Sequence, residues 1–172
     1  HYAIPLYATS LYLHKYFNSS VVSAVYAAAS ILALFVSLSV SKTIKRFHTY
    51  GFAFSVTLAE IIVVFLFGQI SNPYILPVLF LAHFVLQTLL FISLNVFIES
   101  FSMHAKIGSI RGLFLAVLNL GILVSPLIGG VILSTFSFSA LYTIAAATLI
   151  PSPYFLHTYL HHIKEPAYHT VN

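Results

Sequence analysis

Glu60 is the residue whose position most needs a chemical explanation. It lies near the middle of an apolar run covering about 50–70. A carboxylate at bilayer depth costs at least about 2.5–3.5 kcal/mol by insertion scales, so such a residue is a functional candidate by default. Burial away from water favours the neutral acid, which makes Glu60 a candidate proton carrier. The competing role is a protonated or hydrogen-bonded structural glutamate. His83, Gln87, Thr88 and Asn95 follow in the next run. His83 and Gln87 are four apart and share one helical face; Thr88 and Asn95 are seven apart and share another. Imidazole titrates near neutral pH. These four are candidates for contact with a substrate or protons. Their other role is interhelical hydrogen bonding, worth only about 0.6 kcal/mol per contact. Asn119 carries the same two readings, with packing the favoured one.

Glu99 stands beside a loop that holds Lys106 and Arg111, where Glu99 and Arg111 can form an interfacial ion pair, either structural or ordinary. His157 and His161 sit one helical turn apart, with His162 next to them. Two imidazoles without a third ligand or a carboxylate cluster do not make a metal site, so these are read as solvated histidines. The sequence shows no nucleophile with base and orienter, no phosphate-binding glycine loop and no zinc spacing. Nothing in it supports enzymatic chemistry, a cofactor or a metal.

The elements that position these residues follow from composition. The 172-residue chain is 60% hydrophobic and 6% charged, with a mean hydropathy of +1.00. Soluble domains are about 25% charged, and no soluble fold of this size hides so much apolar surface. The apolar runs are continuous over about twenty residues, not alternating over about ten, so helices are expected and a transmembrane β-barrel is not. The fold class is an all-α polytopic bundle. Its spans are about 2–13, 20–41, 50–70, 74–99, 110–134 and 138–160. The first is too short to cross, since a dozen helical residues reach only about 18 Å; it reads as a truncated helix in a chain that begins at His1. Asn18, Ser19 and Ser20 offer capping oxygens for the second span, and Pro73 and Pro77 fall in the first turns of the fourth, where proline is tolerated.

Charge placement agrees with this drawing. Alternating spans put Lys42, Lys45, Arg46, Lys106, Arg111 and Lys164 on one side and Lys15 alone on the other. The basic side is expected to be cytoplasmic, with loops 42–49 and 100–109 and the tail 161–172 there. The net charge of +4 is thus membrane topology and not a nucleic-acid surface. Cysteine is absent, so disulfides are excluded. Tyr12, Tyr16, Tyr50, Tyr74, Tyr154 and Tyr159 fall at span ends, where amphipathic rings favour the headgroup zone.

The fifth span holds Gly112, Gly121, Ser125-Pro126 and Gly129-Gly130. In a soluble helix each glycine would cost about 1 kcal/mol and the proline about 3. In lipid, small residues allow close helix contact, and neighbours can re-satisfy what proline frees. The spacing resembles the fifth-helix motif of major facilitator superfamily transporters, G-x8-G-x3-G-P-x2-G-G, with Ser125 in place of one glycine. This form is typical of the proton-coupled antiporter branch. The loop SLSVSKTIKRFHTYG resembles the family's G-x-x-x-D-R-x-G-R-[RK] only in its basic positions, Lys42 and Lys45-Arg46; Ser41 stands where the family has its acidic latch.

The resemblance implies the N-terminal six-helix half of a transporter that works by alternating access, with a further six-helix half outside this chain. It implies that the fourth helix lines the central cavity, that the third supports the bundle from outside, and that Glu99 and Arg111 join a cytoplasmic charge network. The partners expected are the lipid bilayer, a small-molecule substrate, protons and the missing half, with no nucleic acid. The rival reading is a six-span membrane protein without transport, such as a scaffold or assembly factor, whose reading frame would end near Asn172.

Overall fold

The computed structural model describes residues 3–101 and 107–160. The described residues are helical almost throughout: α1 Ala3–His14, α2 Ser19–Phe47, α3 Thr49–Gln69, α4 Leu76–Phe101, α5 Ile107–Thr135, α6 Phe138–Leu149 and α7 Pro151–Phe155, followed by a π-helical turn Leu156–Leu160. Five stretches are long and apolar enough to cross a bilayer: α2, α3, α4, α5, and α6 through Tyr159 taken together. The protein is an all-α polytopic membrane helix bundle.

Local chemistry sets the boundaries. Asn18 caps α2, its side-chain oxygen accepting from Val21 N at 3.0 Å, and Ser137 caps α6 by accepting from Ala140 N. Asn72 Oδ1 accepts from Tyr74 N and holds the turn that opens α4. The expected continuous span 138–160 is broken at Ile150. Pro151 has no N–H for the helical ladder and its ring crowds the carbonyl four residues back, so Ile150 N tightens onto Ala147 O instead. The expected loop at 42–49 is also corrected. Lys42, Lys45 and Arg46 belong to the last turns of α2, because nothing in SKTIKRF breaks a helix.

One residue, His48, joins α2 to α3, and it does so at φ 61°, ψ 151°. This conformation is nearly reserved for glycine and costs other residues about 1–3 kcal/mol. His48→Gly should therefore raise stability by about 1 kcal/mol, after allowance for glycine's greater freedom in the unfolded chain. The check is the midpoint of SDS-induced unfolding in mixed micelles; an unchanged or lower midpoint would show that the imidazole's own contacts outweigh the backbone cost.

α3 is the central element. It packs against α4 and α6 most closely and against α2 as well, and it is the most buried of the five spans. Phe67, Phe80, Tyr12 and Tyr142 form an aromatic core around it, with Tyr12–Phe67 and Phe67–Tyr142 centroids at 5.4 and 4.9 Å in edge-on geometry. Tyr12 is thus a core residue, whereas Tyr74, Tyr154 and Tyr159 are exposed as interfacial anchors would be. α1 lies chiefly on α5. Leu34, Phe35 and Leu38 of α2 and Leu113, Leu123 and Leu127 of α5 point outward. That apolar surface would be a liability in water and is compatible with lipid or a further helix bundle.

Contacts at the helix ends fix the alternation. The Tyr50 hydroxyl meets His157 Nδ1 at 3.0 Å, and Glu99 and Arg111 approach at 3.7 Å. These share one end of the bundle with the C-terminal turns of α2, referred to below as the basic end. At the other end the Tyr12 hydroxyl donates to Ile70 O at 3.2 Å, and Gln69 bonds Ser139 and Thr143.

Candidate functional site

α3 and α4 are antiparallel neighbours joined by a short turn at Asn72. Residues at similar distances before and after such a turn can meet, and Glu60 and His83 lie nearly equidistant from Asn72. His83 Nδ1 and Glu60 Oε1 lie 2.8 Å apart, with the side chains 4% and 0% exposed. The imidazole also lies nearly parallel to Phe67, with centroids at 6.4 Å. One of the two groups holds the proton of this bond and donates, and the other accepts. The two candidates that the sequence offered separately are therefore one unit: a buried carboxyl and imidazole in hydrogen-bond contact between α3 and α4.

His83 opens onto a cavity of about 250 Å³ between α1, α2 and α4. Tyr26, Phe80, Phe84, Gln87 and Phe91 form most of its wall, and Thr9 and Thr88 are its small polar members. A second cavity of about 210 Å³ lies nearer the basic end, lined by Thr57, Phe97, Phe114 and Leu149 among others. Gln87 and Phe91, one turn apart on α4, belong to both walls. His83, Gln87 and Phe91 thus run along one face of α4 from the first cavity to the second.

The other expected residues divide. Thr88 faces the first cavity, but its hydroxyl donates to Phe84 O at 2.9 Å on its own helix. The Asn95 amide does likewise to Phe91 O at 2.8 Å, and Asn95 lines neither of these two cavities. Asn119 is exposed on α5. Glu99 and Arg111 do pair, but at 70% and 46% exposure the contact is a surface one, of a kind worth about 0–1 kcal/mol. The side chains of Lys42, Lys45 and Arg46 lie outside the described residues, as do Lys106, His161, His162 and Lys164 entirely.

The small-residue stretch of α5 is also split by its surroundings. The buried Ser125 hydroxyl donates to Ala3 O of α1. Gly121 and Gly129, four residues to either side, face Ala3 on α1, and Tyr7 on α1 with Leu141 on α6, where an added Cβ would make only ordinary contact at 3.6 and 3.9 Å. Gly112 and Gly130 face open space and Pro126 is exposed. The seam is therefore an α1–α5 contact centred on Ser125.

Two features escaped the sequence reading. An added Cβ at Gly68 would fall 2.4 Å from Tyr142 Cβ, so this glycine, outside any motif, is where α3 and α6 approach most closely. The Tyr142 hydroxyl donates to Thr9 Oγ1 at 3.0 Å in the core, which ties α6 to α1. Both pairings are long-range in sequence and follow no local pattern.

No protein-family model, curated protein or solved structure matches the chain.

Proposed function

We propose that this chain is a six-helix half of a secondary transporter of the major facilitator type, which moves a small molecule by alternating access with protons as the exchanged ion and export as the favoured direction. The observation that carries this reading is the buried Glu60–His83 contact beside a cavity within the apolar zone. Ionisable residues at such depth are expensive and mark proton or substrate pathways. A shared proton can leave or return only if the pair gains access to water, so coupling follows when that access changes with the bundle's conformation. In this reading the basic end is cytoplasmic, by the positive-inside rule. The outward faces of α2 and α5 meet a second bundle, and Gly112 and Gly130 lie on the part of α5 left open for it. Because α3 is central, the proton-bearing carboxylate sits within the half and not between halves.

The test uses inside-out vesicles carrying the complete gene product, energised to an acid interior and reported by a pH-sensitive acridine dye. Adding an exported solute should release protons and recover the dye signal. Glu60→Gln should insert normally and lose this recovery. If a broad solute library gives no recovery in the wild type, the transporter reading fails and a non-transport scaffold takes its place; if Glu60→Gln recovers like wild type, the Glu60–His83 pair is not the coupling site.

A further inference from the structure

Gln87 stands in the common wall of the two cavities, and its amide nitrogen is buried with no hydrogen-bond partner among the described residues. Buried donors nearly always find a partner, because one left unmet forfeits the full cost of its desolvation. A leucine would fill the same place without that penalty. A donor held between two cavities therefore points to a molecule that completes it. The walls say which kind. Tyr26, Phe80, Phe84 and Phe91 are flat aromatic surfaces; among the described residues no Lys, Arg, Asp or Glu lines either cavity, and the His83 imidazole in the first is already engaged by Glu60. A charged guest would be stripped of water with no counter-charge in the walls. The first cavity, at about 250 Å³, falls just under the usual 300–1,000 Å³ of small-molecule pockets, which suits a fragment-sized guest.

We propose that the two cavities form one binding site for a small, uncharged, flat and largely apolar molecule bearing a carbonyl-type acceptor, which receives the Gln87 Nε2–H as the amide turns toward it. Aromatic faces hold the rings by offset stacking, and the single amide supplies the specificity. The inference rests on the transporter reading only in taking that guest as the substrate class.

Three probes separate the contributions: coumarin, with a ring carbonyl; naphthalene, the same two-ring outline with no acceptor; and coumarin-3-carboxylate, which adds a charge. Binding is measured by calorimetry on the full chain in nanodiscs, with empty nanodiscs subtracted. Coumarin should bind about tenfold tighter than naphthalene, the value of one hydrogen bond, and the carboxylate should not bind. Gln87→Leu should keep naphthalene affinity, erase the coumarin advantage and melt at a higher temperature than wild type without ligand. Equal affinities for coumarin and naphthalene in the wild type overturn the proposal, as does an advantage that survives Gln87→Leu or no binding of either ring. The equilibrium measurement needs no transport. Ligand binding without any solute-driven proton release sinks the transporter reading alone, and proton-coupled transport with no coumarin preference sinks this inference alone.

Discussion

His83→Leu, made alone, should destabilise the bundle by about 3 kcal/mol, read as a shift in SDS-unfolding midpoint in mixed micelles. The substitution leaves Glu60, which is fully buried, without the imidazole 2.8 Å away. Removing one member of a buried pair typically costs about 3–5 kcal/mol, which sets the scale of the expected loss. The double variant Glu60→Leu/His83→Leu should recover to within about 1 kcal/mol of wild type, since hydrophobic replacement of a whole buried pair is often neutral. The signature is this non-additivity. If the double variant is as damaged as the sum of the two single ones, the residues are stabilised by separate surroundings and do not work as a unit.

Gly68→Ala is expected to cost about 2 kcal/mol by the same assay, although it adds one methyl group. That carbon would lie 2.4 Å from Tyr142 Cβ, and both atoms are fixed directly to helix backbones. No rotamer change relieves the clash, so α3 and α6 must separate, and overpacking of this kind costs about 1–3 kcal/mol. The separation would also disturb the neighbouring bonds from Gln69 to Ser139 and Thr143 and the edge-on Phe67–Tyr142 contact. Gly112→Ala and Gly130→Ala are the controls. Both sites face open space in a helix, where alanine is the better former, so stability should hold or rise slightly. A Gly68→Ala variant as stable as these controls would mean that the α3–α6 approach is looser than described.

These two expectations rest on contacts of unequal visibility in the sequence. Glu60 and His83 were each legible as costly polar residues in apolar runs. Their partnership was also within reach, because they lie nearly equidistant from the Asn72 turn in an antiparallel helix pair. Gly68 gave no such signal. The glycines of 112–130 stood out by spacing, yet two of them face nothing and the other two allow a Cβ. A glycine's importance depends on what lies opposite it, and for Gly68 that is Tyr142, 74 residues further along. Tyr12 shows the same limit: a tyrosine at a span end fits an interfacial anchor, and only the arrival of Phe67 and Tyr142 makes it core. The basic segment after Val40 looked like a loop because charges close a hydropathic run, but charge does not break a helix, and α2 continues to Phe47.

What the amino-acid order determined by itself was the solvent and the element type. Continuous apolar runs with few charges demand lipid, and in lipid a backbone must satisfy its own hydrogen bonds, so helices of bilayer length follow without reference to any neighbour. Caps and proline breaks are likewise local, decided within a few residues. The tertiary structure alone decided which helix sits at the centre, which small residues mark close approach, and that one amide ends up as the wall between two cavities. With four of the five spans nearly equally apolar, hydrophobicity alone does not rank their faces; shape complementarity and a few buried polar pairs do so, and these exist only once the helices have met.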